Sequence, residues 1–241
     1  MTSLKIMTFN IACCKRSQHG SIDVARTIQT VQPDLIALQE VDKFTYRSGT
    51  EIDQSYELAR LTGLSHSVFV NSMDFSGGQY GDAILSRYAF DTVQLFHLDG
   101  RCQGETRSLG IISMKITDEY RLYFGVTHLE HEVNILREAQ TKEVIELYRR
   151  IVPDKEPFIL AGDFNDSPTS RTVELLLTDG GLQLPCDKCP TTYPADHPTE
   201  TIDYIFLNAK AMEIFEVKSY RTMNDEKSSD HLPLVMELRR K

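Results

Sequence analysis

What most constrains this chain is a recurrence: short apolar runs of strand length alternate with segments of helical period from one end to the other. Leu4–Phe9 alternates as a strand and ends at Asn10. Ser21 is placed to cap a helix in which Ile22, Ala25 and Ile28 recur at helical spacing and which Pro33 closes. Leu35–Leu38 is unbroken by a polar residue, as expected of a strand covered on both faces. Further strand-like runs are Ala83–Leu85, Ile111–Ile116, Leu122–Thr127, Phe158–Leu160, Tyr204–Leu207 and Leu234–Leu238. Helices are expected over Gln54–Thr62, Val133–Ile151 and Thr169–Leu177, the last opened by Ser167-Pro168. An α/β chain with this many strands, several doubly buried, is satisfied by two sheets packed face to face with helices outside. No repeat, low-complexity tract or long linker interrupts the pattern, so one domain over residues 1–241 is expected.

The polar residues fall where these runs stop. Asn10 follows Phe9, Glu40 follows Leu38-Gln39, His128 follows Val126-Thr127, and Asp163 follows Leu160-Ala161-Gly162. Strand ends at one rim of a layered α/β fold converge in space, and sites are commonly built there. Composition narrows what such a site could serve. A formal net charge of −9 opposes non-specific binding of long nucleic acid, which draws on a basic surface, yet allows one phosphate to be held through a bound cation. No apolar run approaches the ~18–20 residues that span a bilayer. Residues 1–10 are too polar for the apolar part of a signal peptide, so a cytoplasmic location is the default expectation, with signal-less secretion left open. Five cysteines, an odd number, are expected to be reduced thiols. Cys186 and Cys189 form a C-x-x-C, but zinc needs about four ligands and only His197 follows at a suitable distance, so a structural or incidental role is expected.

Four clusters carry chemistry. In Gly162-Asp163-Phe164-Asn165 a carboxylate and an amide two residues apart suit a hard cation and a phosphoryl oxygen, although the same sequence also reads as an Asx-type turn. In Ser228-Ser229-Asp230-His231 a carboxylate beside an imidazole can fix its tautomer and raise its basicity. Asp203 opens the apolar run after Thr201-Ile202, where an acid needs a partner if buried. It could orient His231 or a water, or cap the strand. Thr127-His128-Leu129-Glu130-His131 matches no zinc helix motif, and His128 reads better as a donor to a phosphoryl oxygen, with the role of His131 open.

Together TFN at 8–10, LQEVD at 38–42, THLEH at 127–131, GDFN at 162–165, DYIF at 203–206 and SDH at 229–231 resemble the endonuclease/exonuclease/phosphatase superfamily, in its order and spacing. The resemblance runs from residue 8 to 231. It implies a four-layer α/β sandwich, a catalytic Mg²⁺ or Mn²⁺, and hydrolysis of phosphodiesters or phosphomonoesters. It implies Glu40 as principal metal ligand with Asn10 beside it, and Asp230 joins that metal set. Asp163 would activate or orient the attacking water, Asn165 would hold the phosphate, and His128 and His231 would contact phosphoryl oxygens. Asp230 or Asp203 would orient His231, and Asp163 and His231 stand as rival bases. Glu105-x-Arg107 resembles an element of part of the family, with Arg107 either clamping a phosphate or forming an exposed strand-edge salt bridge. Tyr80–Ser86 resembles a GNAILS strand in which Asp82 replaces the usual Asn, which puts any substrate contact there in doubt. Arg137 and Gln140, at the head of an apolar helix stripe, are expected to hydrogen-bond to the sheet rim. The loop from Leu182 to Glu200 is expected near the site.

The reading is therefore a metal-dependent hydrolase of a small or exposed phosphoester. The alternatives are a nuclease or DNA-end-processing phosphodiesterase and a non-catalytic phosphate-binding module. Without tryptophan or a long basic run, a grip on long duplex DNA is not expected. Nothing in the sequence assigns an oligomeric state.

Overall fold

The computed structural model describes residues 3–98, 105–117, 120–223 and 228–241. Its strands are β1 (Ser3–Asn10), β2 (Leu35–Lys43), β3 (His66–Phe75), β4 (Gly78–Ser86), β5 (Thr92–Leu98), β6 (Arg107–Lys115), β7 (Arg121–His128), β8 (Phe158–Asp163), β9 (Leu182–Gln183), β10 (Asp203–Asn208), β11 (Phe215–Thr222) and β12 (Leu234–Arg240). They form two six-stranded sheets, in the orders β11-β12-β1-β2-β4-β3 and β5-β6-β7-β8-β10-β9. The helices are α1 (Ser21–Val31), α2 (Gln54–Thr62), α3 (Asn134–Ile151), α4 (Arg171–Thr178) and α5 (Ala209–Ile214).

The two-residue period of the strands decides the layering. Leu4 and Ile6 of β1, Leu35 and Ala37 of β2, and Ile159 and Ala161 of β8 enter one core shared by both sheets. Their neighbours face the other way. Met7, Phe9, Ile36 and Leu38 pack with Val24 and Ile28 of α1 and Leu58 of α2. Phe158 and Leu160 pack with Val144 of α3 and with Val173 and Leu176 of α4. The result is the expected four-layer sandwich, with apolar residues on both faces of its central strands.

In each sheet the central pair runs parallel, β1 with β2 and β7 with β8, so the carboxyl ends of all four point to the same rim of their sheets. Register then sets neighbours. His128 lies beside Asp163, Asp203 lies beside Asp163 on its other flank, and Asn10 lies beside Gln39. Between Leu38 and Val41 the pairing of β2 with β4 slips by a bulge, and within it Glu40 takes a positive φ of 55°. A bulge re-aims a side chain that a regular strand would send into the layer beneath.

Several expectations shift. The Ser167-Pro168 signal does not open α4. Ser170 closes a turn onto Ser167 and then caps the helix, accepting from the Val173 N–H, and the helix begins at Arg171. Ser21 begins α1, but Gly20 is its cap residue and no side chain caps it. Ile22 in the first turn is exposed, because the helix settles on its sheet only from Val24 onward. Strands β3, β5, β9 and β11 and helix α5 were absent from the expected set. Three of these strands are sheet edges and the fourth, β11, is the remaining edge, so their sequences show less burial and a weaker pattern. Cys186 and Cys189 are joined in a disulfide, since the short turn between them brings their Cα atoms to 5.1 Å. Cys13 and Cys14 are free and buried, and Cys102 lies outside the described residues. No helix among the described residues is long and apolar enough to cross a membrane.

Gly162 tests the packing of the site-bearing strands. A Cβ there would run into the backbone carbonyl of Thr127 on the neighbouring strand. Gly162→Ala should cost about 2 kcal/mol or more, lowering the thermal midpoint by roughly 4–8 °C. An unchanged midpoint by circular dichroism would contradict this approach of β7 to β8.

Candidate active site

The rim residues of both sheets meet in a cleft of about 380 Å³ lined by Glu40, Tyr80, Glu105, Arg107, His128, His131, Asp163, Asn165, Tyr193, Glu200, Ile202, Asp230 and His231. Two of these lining carboxylates share the side-chain amide of buried Asn10, whose Nδ2 donates to Glu40 Oε1 at 3.2 Å and to Asp163 Oδ2 at 3.0 Å. Asn10 itself is fixed by its Oδ1, which accepts from the Ala12 N–H. Two carboxylates from different sheets are thus drawn to one nitrogen.

Around Asp163 stand two histidines in opposite electrostatic settings. His231 Nδ1 lies 2.9 Å from Asp203 Oδ2, and its Nε2 lies 3.7 Å from Asp163 Oδ2. Burial works against its charge, but Asp203, Asp163 and Asp230 outweigh that and raise its pKa to about 10. His128 is enclosed by donors instead. Arg107 Nη1 lies 3.1 Å from its Nδ1, and Asn165 Nδ2 lies 3.0 Å from its Nε2. Burial first, then the Arg107 guanidinium, pushes it well below the ordinary histidine value, so it is neutral. The Asp163 carboxyl is pushed up, by burial and then by Asp203, against the pull of His231 and the hydrogen bonds from Asn10 and the Asn165 N–H.

The sequence left open whether Asp230 or Asp203 orients His231. Asp203 does, while Asp230 lines the cleft and pairs with Arg16 at 3.0 Å. Asn165, like Glu40, has a positive φ, of 51°. Arg107 is not in an exposed edge salt bridge. Strand β5 covers β6, and the guanidinium is buried against Glu105 at 2.8 Å and His128, with its Nε lacking a partner. His131 is half-exposed beside it, 3.2 Å from Arg107 Nη2. Asp82 is buried and outside the cleft lining, where it accepts from Ser108 Oγ at 2.8 Å. Burial raises its pKa to about 8. Arg137 and Gln140 brace the rim as expected, Arg137 donating to the Glu130 carbonyl and Gln140 accepting from the Glu130 N–H.

To three lining residues the sequence assigns no role. Tyr80 and Glu200 line the walls, and the ring of Tyr193 lies 4.9 Å from that of His231. Tyr193 and Glu200 belong to the loop that the Pro- and Thr-rich composition places near the site, but composition gives no ring position.

One group among the described residues brings three ligand atoms within 4.8 Å of one another, namely Asp163, Asp203 and His231. A cation there would displace the 2.9 Å bond that holds His231. Glu40 offers a better-placed ligand: it lines the cleft, with Asn10 and Asp163 beside it. Carboxylate oxygens of this kind suit a hard divalent cation, while the Asn10 oxygen is taken by the Ala12 N–H. The buried Asp203 Oδ1, which lacks a partner, adds to the unmet negative charge nearby.

The model of the Endonuclease/Exonuclease/phosphatase family matches residues 7–231. The uncharacterized protein YbhP of Escherichia coli is 24% identical over 228 residues, covering 88% of this chain and 85% of that protein. Among solved structures, an endonuclease/exonuclease/phosphatase from Beutenbergia cavernae superposes with a TM-score of 0.77 at 24% identity, over 100% of this chain and 72% of that one. A mannosyl-6-phosphatase from Bacteroides thetaiotaomicron superposes with a TM-score of 0.79 at 19% identity, over 98% of this chain and 99% of that one.

The Asp203–His231 pair can be tested alone. Asp203→Asn removes the charge nearest the ring, and His231 should then titrate well below 10, toward the ordinary value of 6.5, in an NMR titration of its ring protons. A midpoint still near 10 would show that Asp203 does not hold it. The sign for stability follows from the raised value. The pairing adds stability in full below 6.5 and loses it as pH rises through about 10.

Proposed function

The chain belongs to the endonuclease/exonuclease/phosphatase family, and from that premise we propose that it hydrolyses a phosphoester bond with the help of a divalent cation, Mg²⁺ or Mn²⁺. The observation that carries the reading is the meeting, in one cleft, of two amide-bridged carboxylates, a cationic histidine and a neutral one. In phosphoryl transfer a protein has mostly to position groups and offset charge, and this set does both.

Glu40 would hold the cation, with the Asn10 amide beside it and Asp230 across the cleft. When bound, such a cation offsets the charge on the phosphoryl oxygens. Asp163 is the group we assign as base. Its raised proton affinity and its place between Asn10 and the two histidines suit it to take a proton from an attacking water. His231, already protonated, is poorly suited to accept one and well suited to donate a charge-assisted hydrogen bond to a phosphoryl oxygen. Asp203 keeps it charged and oriented. His128, Asn165 and Arg107 also line the cleft and would bind the remaining phosphoryl oxygens. A non-catalytic phosphate-binding module would need neither a base nor an imidazolium set apart from a neutral imidazole, so the arrangement favours turnover.

The reading predicts release of nitrophenol from bis-p-nitrophenyl phosphate or p-nitrophenyl phosphate with Mg²⁺ or Mn²⁺, abolished by EDTA. Glu40→Ala and His231→Ala should each lower the rate by ~10²-fold or more, the scale on which one positioned group acts. Activity that resists EDTA, or that survives in His231→Ala, would sink the mechanism. The better of the two esters separates diesterase from monoesterase.

A further inference from the structure

Between β1 and α1 the chain takes a course that its residue types resist. Ala12, Cys13 and Cys14 follow one another at φ values of 45°, 53° and 58°, with no glycine among them. Side chains other than glycine hold this left-handed conformation only where their surroundings impose it. Here the Ala12 N–H donates to Asn10 Oδ1, and the Cys14 N–H donates to the Ile11 carbonyl. Buried Gln54 of α2 donates from Nε2 to the Cys13 carbonyl at 2.9 Å. Gln54 is fixed in its turn by the Asp42 N–H, which donates to its Oε1 at 2.8 Å.

The turn delivers one side chain. Cys13 is buried, with its thiol 3.8 Å from Glu40 Oε2, the carboxylate oxygen that Asn10 does not bond. On the other side of the sulfur stands Arg47, whose Nη2 donates to it. That guanidinium is itself anchored. Its Nε and Nη2 donate to the two oxygens of buried Asp42 at 2.7 Å each, and its central carbon lies 4.3 Å from the centroid of the Phe75 ring. Asp42 also accepts from Thr45 Oγ1 and Ser48 Oγ. A buried thiol beside two carboxylates keeps its proton, so it accepts from Arg47 and donates to Glu40. Both oxygens of Glu40 are therefore held from this one turn of chain, at a residue whose own backbone sits in a bulge.

We infer that Cys13 is a positioning residue for the cation-holding carboxylate, its thiol tying Glu40 to the buried Arg47–Asp42 pair. This rests on the reading of Glu40 as the group that holds the divalent cation. A carboxylate bonded at one oxygen can swing about that bond, whereas one bonded at both is presented to an ion in a single orientation. Groups that orient a ligand in this way govern affinity nearly as much as the ligand does. The thiol contact is weak by itself, but it ends on a bidentate ion pair, which gives it a fixed anchor. A nucleophilic or redox-sensing role fits Cys13 less well. Such thiols are accessible and held as thiolates by positive surroundings, and this one is enclosed between carboxylates.

Calorimetric titration of the full chain, first stripped with EDTA, with Mn²⁺ reads this positioning without turnover. Cys13→Ala removes the sulfur and leaves the backbone bonds of the turn in place. It should weaken Mn²⁺ binding by about tenfold, the lower end of the range for a group that orients a metal ligand. Cys13→Ser keeps a hydroxyl able to accept from Arg47 and donate to Glu40, and should recover most of the lost affinity. Cys14→Ala is the control, since Cys14 is buried in the same turn but its thiol bonds to Ser21 and packs with α1. It should lower the thermal midpoint at most and leave Mn²⁺ affinity unchanged. Unchanged affinity in Cys13→Ala, equal losses in Cys13→Ala and Cys14→Ala, or a serine variant as weak as the alanine one would overturn the inference. Mn²⁺ binding that is absent from the parent chain, or that Glu40→Ala leaves intact, would remove Glu40 from the cation site and the inference with it. Binding that depends on both Glu40 and Cys13, in a chain that hydrolyses no nitrophenyl ester, would remove the hydrolase reading and leave the positioning role standing. Hydrolysis with binding that depends on Glu40 but not on Cys13 would do the reverse.

Discussion

The site depends on one amide. Asn10 stands at the end of β1 in one sheet, Asp163 at the end of β8 in the other, and 153 residues of chain separate them. Two carboxylates held close in a partly dry cleft repel, and burial alone would drive protons onto them. The Nδ2 of Asn10 gives each one hydrogen and so lets Glu40 and Asp163 share a small volume. Everything that could act on a phosphate lies around that contact. The inter-sheet core supplies the mechanical support, because Ile6, Ala37, Ile159 and Ala161 fix the separation of the strands whose ends carry these groups.

The second organising fact is an asymmetry of charge between two histidines facing one carboxylate. His128 approaches Asp163 by strand register, and His231 reaches it from the loop before β12. Their outer neighbours separate them. A carboxylate behind His231 keeps a proton on it, and a guanidinium beside His128 keeps one off. Divergent environments for like groups are how one fold runs acid and base chemistry at one pH. Here the divergence is set by Asp203, beside Asp163 in the sheet, and by Arg107, beside His128.

Much of this was legible in the sequence. Doubly apolar runs such as Leu35–Leu38 and Phe158–Leu160 require cover on both faces, which leaves few architectures besides stacked sheets under helices. The polar residues that end those runs then had to share a rim. Less legible were the features set by long-range contacts. The edge strands β5 and β11 show little burial pattern of their own. The start of α4 was decided by a local turn that displaced the Ser-Pro signal to Ser170. The choice of Asp203 over Asp230 as partner of His231 is a contact between β10 and the loop before β12, 28 residues apart, which no spacing encodes. The ring of Tyr193 over His231 and the joining of Cys186 to Cys189 likewise arise from how one loop folds back on itself.

The left-handed backbone at Glu40 and Asn165 has a further consequence. For side chains other than glycine this conformation costs of order 1–3 kcal/mol and persists only where the surroundings impose it. At both positions the residue that would relieve the backbone is glycine, and glycine would carry no oxygen or amide into the cleft. Stability and chemistry therefore pull in opposite directions at the same two points of the chain. Drift toward a more comfortable fold would begin by erasing groups that line the cleft, and the rest of the sandwich would register little more than relief.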